Sequence, residues 1–409
     1  MTKALANAAR PEDVGLSTAG LDGVDAGLQA EIDKGNLAGA VTLVARQGKV
    51  ARCSLLGFDS VEKKTRLKRD TVFRIFSMTK PVTAVAMMIL HDKGLWKPDD
   101  PIGKFIPAFN HCTVFAGLDD AERPVTVKPD HPPTLRELLT HTAGITYGRS
   151  DALWDRPYKD ANIWGAPTLM EFAERIARVP LAYQPGTKWL YSLSMDVQGA
   201  IIEAITGQPL ADFMHEHIFA PLKMVDTAFW AEPQKAGRLA AAMYLTSRKG
   251  GLNELDKSPM GNDYLSPPKL PGGGGGLVST LDDYARFAQM LLNRGELDGV
   301  RVLSPGAVAL MSRNHLPPWM LEAGFGIGAM QIRPGFGYGF NGAVFTDPGA
   351  AGIPVGRGTY EWDGAAGTWF WVDWANDLIF VGMIQRFTVT EGIANAQQLT
   401  QKLVAKAIL

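Results

Sequence analysis

Apolar residues are densest between Val82 and Leu90, where only Thr83 interrupts them. A helix that is apolar all round is buried rather than laid on a surface. His91-Asp92-Lys93-Gly94 supplies a C-terminal stop. Pro81 fits only in a first turn, where amide donors have no intrahelical partner. These limits predict a buried helix starting at about Ser77.

The pattern elsewhere alternates between two periods. Leu21, Val24, Leu28 and Ile32 recur at helical spacing and stop at Lys34-Gly35. Gly39 to Arg46 is a β-type run, Gln47-Gly48-Lys49 a turn, and Val50 to Gly57 the returning strand. From 96 to 265 the character changes. Pro and Asp cluster at 97–101, and 107–133 reads as loop. Leu135–Leu139, Leu169–Ala177, Val197–Ile205 and Leu210–Phe219 carry helical patterning, the last two parted by Gly207-Gln208-Pro209. Leu281 to Leu292 is a further helix. Gly367–Trp374 and Leu378–Arg386 flank Ala375-Asn376-Asp377 as a hairpin, and Leu399–Leu409 forms a closing helix.

Neither hairpin has enough strands to stand alone. Joining them in one antiparallel sheet, with the helical stretch inserted between, gives an α+β arrangement. It divides the chain into residues 1–95 with 266–409, and a mostly helical 96–265, with an active site at the seam. The five consecutive glycines at 272–276 lead straight into a helix. They are either a close-packed approach to it, which the position favours, or a flexible hinge.

Composition narrows the class. Of 409 residues, 46% are hydrophobic and 20% charged, the balance of a globular chain with a full core. A net charge of −1, without a long basic block, argues against nucleic acid or an anionic membrane as partner. Two cysteines, Cys53 and Cys112, do not make a disulfide framework. The first residues lack an apolar secretory core, and no run reaches the ~18 apolar residues of a membrane span. A cytoplasmic, soluble protein is expected.

The candidate chemistry centres on Ser77 and Lys80. The S-x-x-K spacing occurs three times. Ser60/Lys63 reads as an exposed charged turn, and Ser266/Lys269 spans two prolines, which no helix accommodates. Only Ser77/Lys80 has the helical setting in which i and i+3 meet. There a hydroxyl and an amine stand together near free backbone N–H groups. Serine is a weak nucleophile until a base takes its proton. Lys80 serves only with a depressed pKa. Tyr191, in a polar patch just before a helix, is the candidate shuttle; the competing reading is a half-buried tyrosine with a satisfied hydroxyl. The N–H of Ser77 is one donor for an oxyanion, and the small residues of Glu361-Trp362-Asp363-Gly364-Ala365-Ala366-Gly367 allow a second strand-edge donor. Other chemistries lack anchors. G-x-S-x-G is absent. His215-Glu216-His217 sends its histidines to different helix faces, so no metal is expected. His141 reads as a structural turn residue, and no phosphate or dinucleotide loop is present.

Ser77-Met78-Thr79-Lys80, Leu138-Leu139-Thr140-His141-Thr142-Ala143-Gly144-Ile145, Tyr191, Gly273-Gly274-Gly275-Gly276-Leu277-Val278-Ser279-Thr280 and Trp362-Asp363-Gly364 stand in the order seen in serine β-lactamase-like proteins. Over roughly residues 15 to 405 the chain resembles the family VIII carboxylesterases, relatives of class C β-lactamases and penicillin-binding proteins. The resemblance implies a β-lactamase-like fold and Ser77 as nucleophile. It implies Lys80 and Tyr191 as the proton-transfer pair, either of them the base, and Ser77 and Ala365 as oxyanion donors. No cofactor is implied. Two departures matter. Leu193 stands where class C enzymes carry the asparagine of Y-x-N, and Trp362-Asp363-Gly364 replaces their K-T-G. Losing the lysine removes a cation for a β-lactam carboxylate and adds an apolar wall. A small-molecule ester with a small to medium acyl group is therefore expected. Acyl transfer, weak β-lactam hydrolysis and a non-catalytic scaffold are the alternatives, and the oligomeric state stays open.

Overall fold

The computed structural model describes residues 3–240, 243–246, 251–255, 263–323, 325–327, 330–332, 334–387 and 395–409. Helix α1 (Thr18–Asp33) starts where Ser17 Oγ accepts the Gly20 N–H. Strands β1 (Gly39–Arg46), β2 (Lys49–Ser60) and β3 (Thr65–Arg66) precede the buried helix α2 (Thr79–Asp92). Helices α3 (Leu169–Arg178), α4 (Ser194–Thr206) and α5 (Leu281–Leu292) follow. The chain returns through β4 (Phe336–Tyr338), β5 (Ala343–Phe345), β6 (Tyr360–Asp363), β7 (Trp369–Asp373) and β8 (Leu378–Met383), and closes on α6 (Ala396–Ala407).

The two expected hairpins do share one sheet. It has eight strands in the order β4-β5-β6-β7-β8-β1-β2-β3, all antiparallel. The join is between the ends of the chain, with Val41 opposite Met383 and Leu43 opposite Val381. Leu43, Val381 and Phe370 face a core shared with α2 and α5. Val44, Trp371 and Phe380 face a second core with α1 and α6. Covering both faces explains why β1 and β8 read as continuous apolar runs rather than alternating ones. The fold is the expected α+β arrangement of helices on an antiparallel sheet.

Several elements differ from the sequence reading. β4, β5 and β6 have three or four residues each, too few to show a period. The 107–133 stretch contains antiparallel strands Val114–Leu118 and Pro124–Val127. Their register shifts between Phe115 and Gly117, which breaks the alternation that would have marked them. Met243–Thr246 pairs with Leu252–Leu255 and, in parallel, with Arg386–Phe387. Ser60 is fully buried, not exposed, because it ends β2; its Oγ accepts the Lys63 N–H. Among the described residues, no helix is long and apolar enough to cross a membrane.

Candidate active site

Ser77 lies just outside the α-helix expected to hold it. Phe76–Met78 form a 3-10 turn, and α2 starts at Thr79. Phe76, just before Ser77, has a left-handed φ of 43°, so right-handed helical backbone cannot extend back past Ser77. Such strain is held only by surrounding packing. Here Tyr264 and Phe387 clamp the Phe76 ring edge-on at 5.9 and 5.4 Å. Tyr284 OH donates to the Met78 carbonyl at 2.8 Å. The sharp turn leaves Ser77 partly accessible while its neighbours Phe76, Met78 and Lys80 are buried.

Lys80, one turn on, is fully buried. Its Nζ stands 3.1 Å from Ser77 Oγ, 3.2 Å from Tyr147 OH and 2.5 Å from the Gly274 carbonyl. Burial depresses its pKa to about 7, with Asp196 and Asp363 pulling upward and Arg149 pulling down. Tyr191, three residues before α4, directs its hydroxyl to Ser77 Oγ at 2.8 Å. Burial raises its pKa well above the ordinary value, partly offset by the Ser77 hydrogen bond. The Lys80 ammonium lies 4.6 Å over the Tyr191 ring.

His141 does not touch Ser77. Its backbone is left-handed (φ 58°), its carbonyl accepts the Leu190 N–H, and its Nδ1 meets Ser192 Oγ at 2.8 Å. Its ring packs 4.8 Å from that of Tyr191. Burial and the nearby Lys80 hold its pKa well below the ordinary value. A neutral histidine supporting the Tyr191 ring fits the structural reading.

The 362–368 strand end reaches the same point. Gly364 has no room for a side chain: a Cβ would meet Thr368 Oγ1 at 2.3 Å and the Ile75 carbonyl at 2.4 Å. Thr368 Oγ1 also donates to Ile75 O at 3.2 Å. The turn bearing Ala365 is thus stapled to the turn bearing Ser77. Neither the Ser77 nor the Ala365 amide donates a hydrogen bond among the described residues, so both are free for a ligand. Trp362 is buried and lies 5.8 Å from the Tyr191 ring and edge-on to Tyr338 at 5.4 Å. Asp363 is raised by burial to about 6, with Lys80 pulling it down.

The glycine run takes the close-packed form rather than a hinge. A Cβ on Gly273 would meet the Met195 carbonyl at 2.4 Å, and one on Gly274 would meet Asp196 Oδ2 at 2.7 Å. Thr83 Oγ1 donates to Gly273 O at 2.7 Å, and Leu277 N–H donates to Thr79 Oγ1 at 3.1 Å. Three partners of Lys80 were not found from the sequence: Tyr147, Asp196 and the Gly274 carbonyl. Tyr147 stands two residues beyond the Leu138–Ile145 motif, and that proximity is its one signal in the sequence. Among the described residues, Ser77/Lys80 is the S-x-x-K pair that meets the Tyr147 and Tyr191 hydroxyls. Among the described residues no cluster of His, Cys, Asp and Glu is placed to hold a metal ion.

Residues 24–403 match the beta-lactamase family. The Mycobacterium tuberculosis protein Rv1367c is 39% identical over 373 residues, covering 89% of this chain and 90% of its own. Esterase EstB of Burkholderia gladioli is 31% identical over 375 residues, covering 87% and 88%. Among solved structures, EstCE1, a hydrolase with promiscuous acyltransferase activity, superposes with a TM-score of 0.78. It is 27% identical, with coverage of 95% of this chain and 98% of the other.

Proposed function

The chain belongs to the beta-lactamase family, and on that premise we propose that it is a serine carboxylesterase working through an acyl-enzyme. The observation that carries this reading is Ser77 Oγ held between Lys80 Nζ at 3.1 Å and Tyr191 OH at 2.8 Å. Its relatives EstB and EstCE1, an esterase and a hydrolase, support the same class.

Lys80 is the base in this reading. A carbonyl can only accept, so Gly274 O takes one Nζ hydrogen, and Tyr147 OH can take another. In the neutral amine the lone pair is then left for the Ser77 hydroxyl proton. A pKa of about 7 makes the neutral form abundant at physiological pH. Ser77 Oγ attacks the ester carbonyl carbon while Lys80 takes its proton. The oxyanion accepts hydrogen bonds from the Ser77 and Ala365 amides. As the tetrahedral adduct collapses, the C–O bond to the alcohol breaks and Tyr191 delivers a proton to the leaving oxygen, being replenished from Lys80. Water then repeats the sequence on the acyl-Ser77 ester and releases the acid.

Trp362 and Asp363 shape the substrate. A buried indole beside Tyr191 and a carboxylate beside Lys80 disfavour an anionic substrate group. A neutral ester with a small to medium acyl chain fits better than a β-lactam. Acyl transfer to an alcohol is the second reading, favoured by the acyltransferase activity of EstCE1. The test is intact mass and turnover with p-nitrophenyl butyrate for wild type and Ser77→Ala, beside a chromogenic cephalosporin and an added competing alcohol. Ester turnover lost in Ser77→Ala, with little cephalosporin cleavage, supports the esterase. A transfer product in place of free acid moves the assignment to acyl transfer. Faster cephalosporin cleavage overturns the Trp362 argument, and no acyl adduct overturns the reaction.

A further inference from the structure

Asp196 sits in the first turn of α4, five residues after Tyr191, and is 4% exposed. Its Oδ1 accepts the Gly274 N–H at 3.1 Å. The carbonyl of that same Gly274 accepts Lys80 Nζ at 2.5 Å. Gly272 and Gly274 pack so closely on this carboxylate that a Cβ would lie 3.1 Å and 2.7 Å from its oxygens. The five-glycine run is therefore wrapped around one buried carboxyl group, whose pKa burial raises and the nearby Lys80 pulls back down, and its other side is bonded to α2 through Thr83 and Lys80. A carboxylate buried without a full counter-ion partner is unfavourable, and no step of the reaction above uses it.

We propose that Asp196 is a positioning residue for that reaction: its carboxylate clamps the glycine run, sets the Gly274 carbonyl against Lys80, and biases the charge of the Lys80 amine. The inference rests on Lys80 acting with Ser77 as proposed. The groups facing Lys80 come from four parts of the chain. They are Asp196 on α4, Asp363 on β6, Arg149 and Tyr147 after the Leu135–Leu139 helix, and Tyr191 with the His141 ring behind it. Asp196 and Asp363 are the carboxylates that oppose the effect of burial on Lys80, and of the two Asp196 also holds the backbone that Lys80 donates to.

The two roles separate by substitution. Asp196→Asn keeps an acceptor for the Gly274 N–H and removes the charge; Asp196→Ala removes both. The pH dependence of kcat/KM for p-nitrophenyl butyrate is compared with a direct titration of the Lys80 ε-carbon by NMR, assigned by its loss in Lys80→Met. Without the carboxylate the neutral amine is favoured. The acid limb and the NMR midpoint should both move to lower pH by about one unit in Asp196→Asn, the lower end of what a nearby opposite charge produces. In Asp196→Ala the same shift should come with a plateau reduced about 10–100-fold, since the run is no longer clamped. An unchanged midpoint in Asp196→Asn overturns the electrostatic role. Equal plateau losses in both variants overturn the clamp. Should Asp196→Ala not fold, the Asn variant alone decides the charge. If wild type turns over no ester yet the midpoint shifts, the reaction fails and the electrostatic influence of Asp196 on Lys80 stands.

Discussion

Gly273→Ala is a small change that should be felt at Ser77. Gly273 carries no positive φ, so the backbone tolerates alanine; the obstacle is space. The new methyl would stand 2.4 Å from the Met195 carbonyl oxygen, which belongs to the first turn of α4 and cannot rotate away. Reaching ordinary van der Waals separation requires an opening of about 1 Å. The run carries the Gly273 carbonyl that accepts Thr83 Oγ1 and the Gly274 carbonyl that accepts Lys80 Nζ. Movement away from α4 therefore shifts the acceptor that orients the Lys80 amine toward Ser77. A misplacement of ~1 Å in a catalytic group lowers the rate about 100-fold, equivalent to ~2.7 kcal/mol of barrier. The assay is kcat/KM for p-nitrophenyl butyrate beside thermal melts, with Gly237→Ala as control, since a Cβ there meets nothing within 4 Å. If the run were a hinge, both variants would behave alike. A Gly273→Ala enzyme with wild-type kcat/KM would refute the close-packed account of the run.

Three further outcomes are expected. Because neutral Lys80 is the proposed base and its pKa is depressed to about 7, kcat/KM should rise with pH through about 7 and then level; Tyr191, raised above the ordinary 10, should cause no fall below that pH. A profile flat through neutrality would contradict a titrating Lys80. Tyr191→Phe keeps the ring among His141 and Trp362 but removes the hydroxyl 2.8 Å from Ser77 Oγ. Alkyl ester hydrolysis should drop about 10²–10⁴-fold, the range for a lost general acid, and p-nitrophenyl ester cleavage less, since that leaving group needs no proton; equal losses would argue against the leaving-group role. On α1, Gly23→Ala meets nothing within 4 Å and should stabilise by about 0.5–1 kcal/mol in urea unfolding. Gly20→Ala, 2.5 Å from the Ala407 Cα, should destabilise by pushing α6 off α1.

The sequence by itself determined the elements whose signals are local. α2 is readable because residues 82–90 are apolar on every side, and such a helix has nowhere to go but the core. The Ser77/Lys80 contact is readable because i and i+3 meet within one turn of helix, and Ser266/Lys269 fails on the same local ground, its two prolines excluding a helix; Ser60, buried rather than exposed, is not readable in that way. The two hairpins are readable from their turns and β-branched runs. Their union in one sheet followed from the instability of two strands alone.

Tertiary structure decided what depends on distant segments meeting. The left-handed Phe76 just before the Ser77 turn is held by Tyr264 and Phe387, residues far along the chain. β4 to β6 are too short to show a period, and they form because a neighbouring strand supplies their hydrogen bonds. The five glycines are ambiguous in sequence, where composition alone means flexibility. They are rigid in the fold because Met195, Asp196 and α2 leave no space around them. Tyr147, Asp196 and the Gly274 carbonyl converge on Lys80 from segments up to 194 residues apart. No period or spacing encodes that convergence. The same burial that assembles it also desolvates the Lys80 amine and depresses its pKa to about 7, as the proposed role requires.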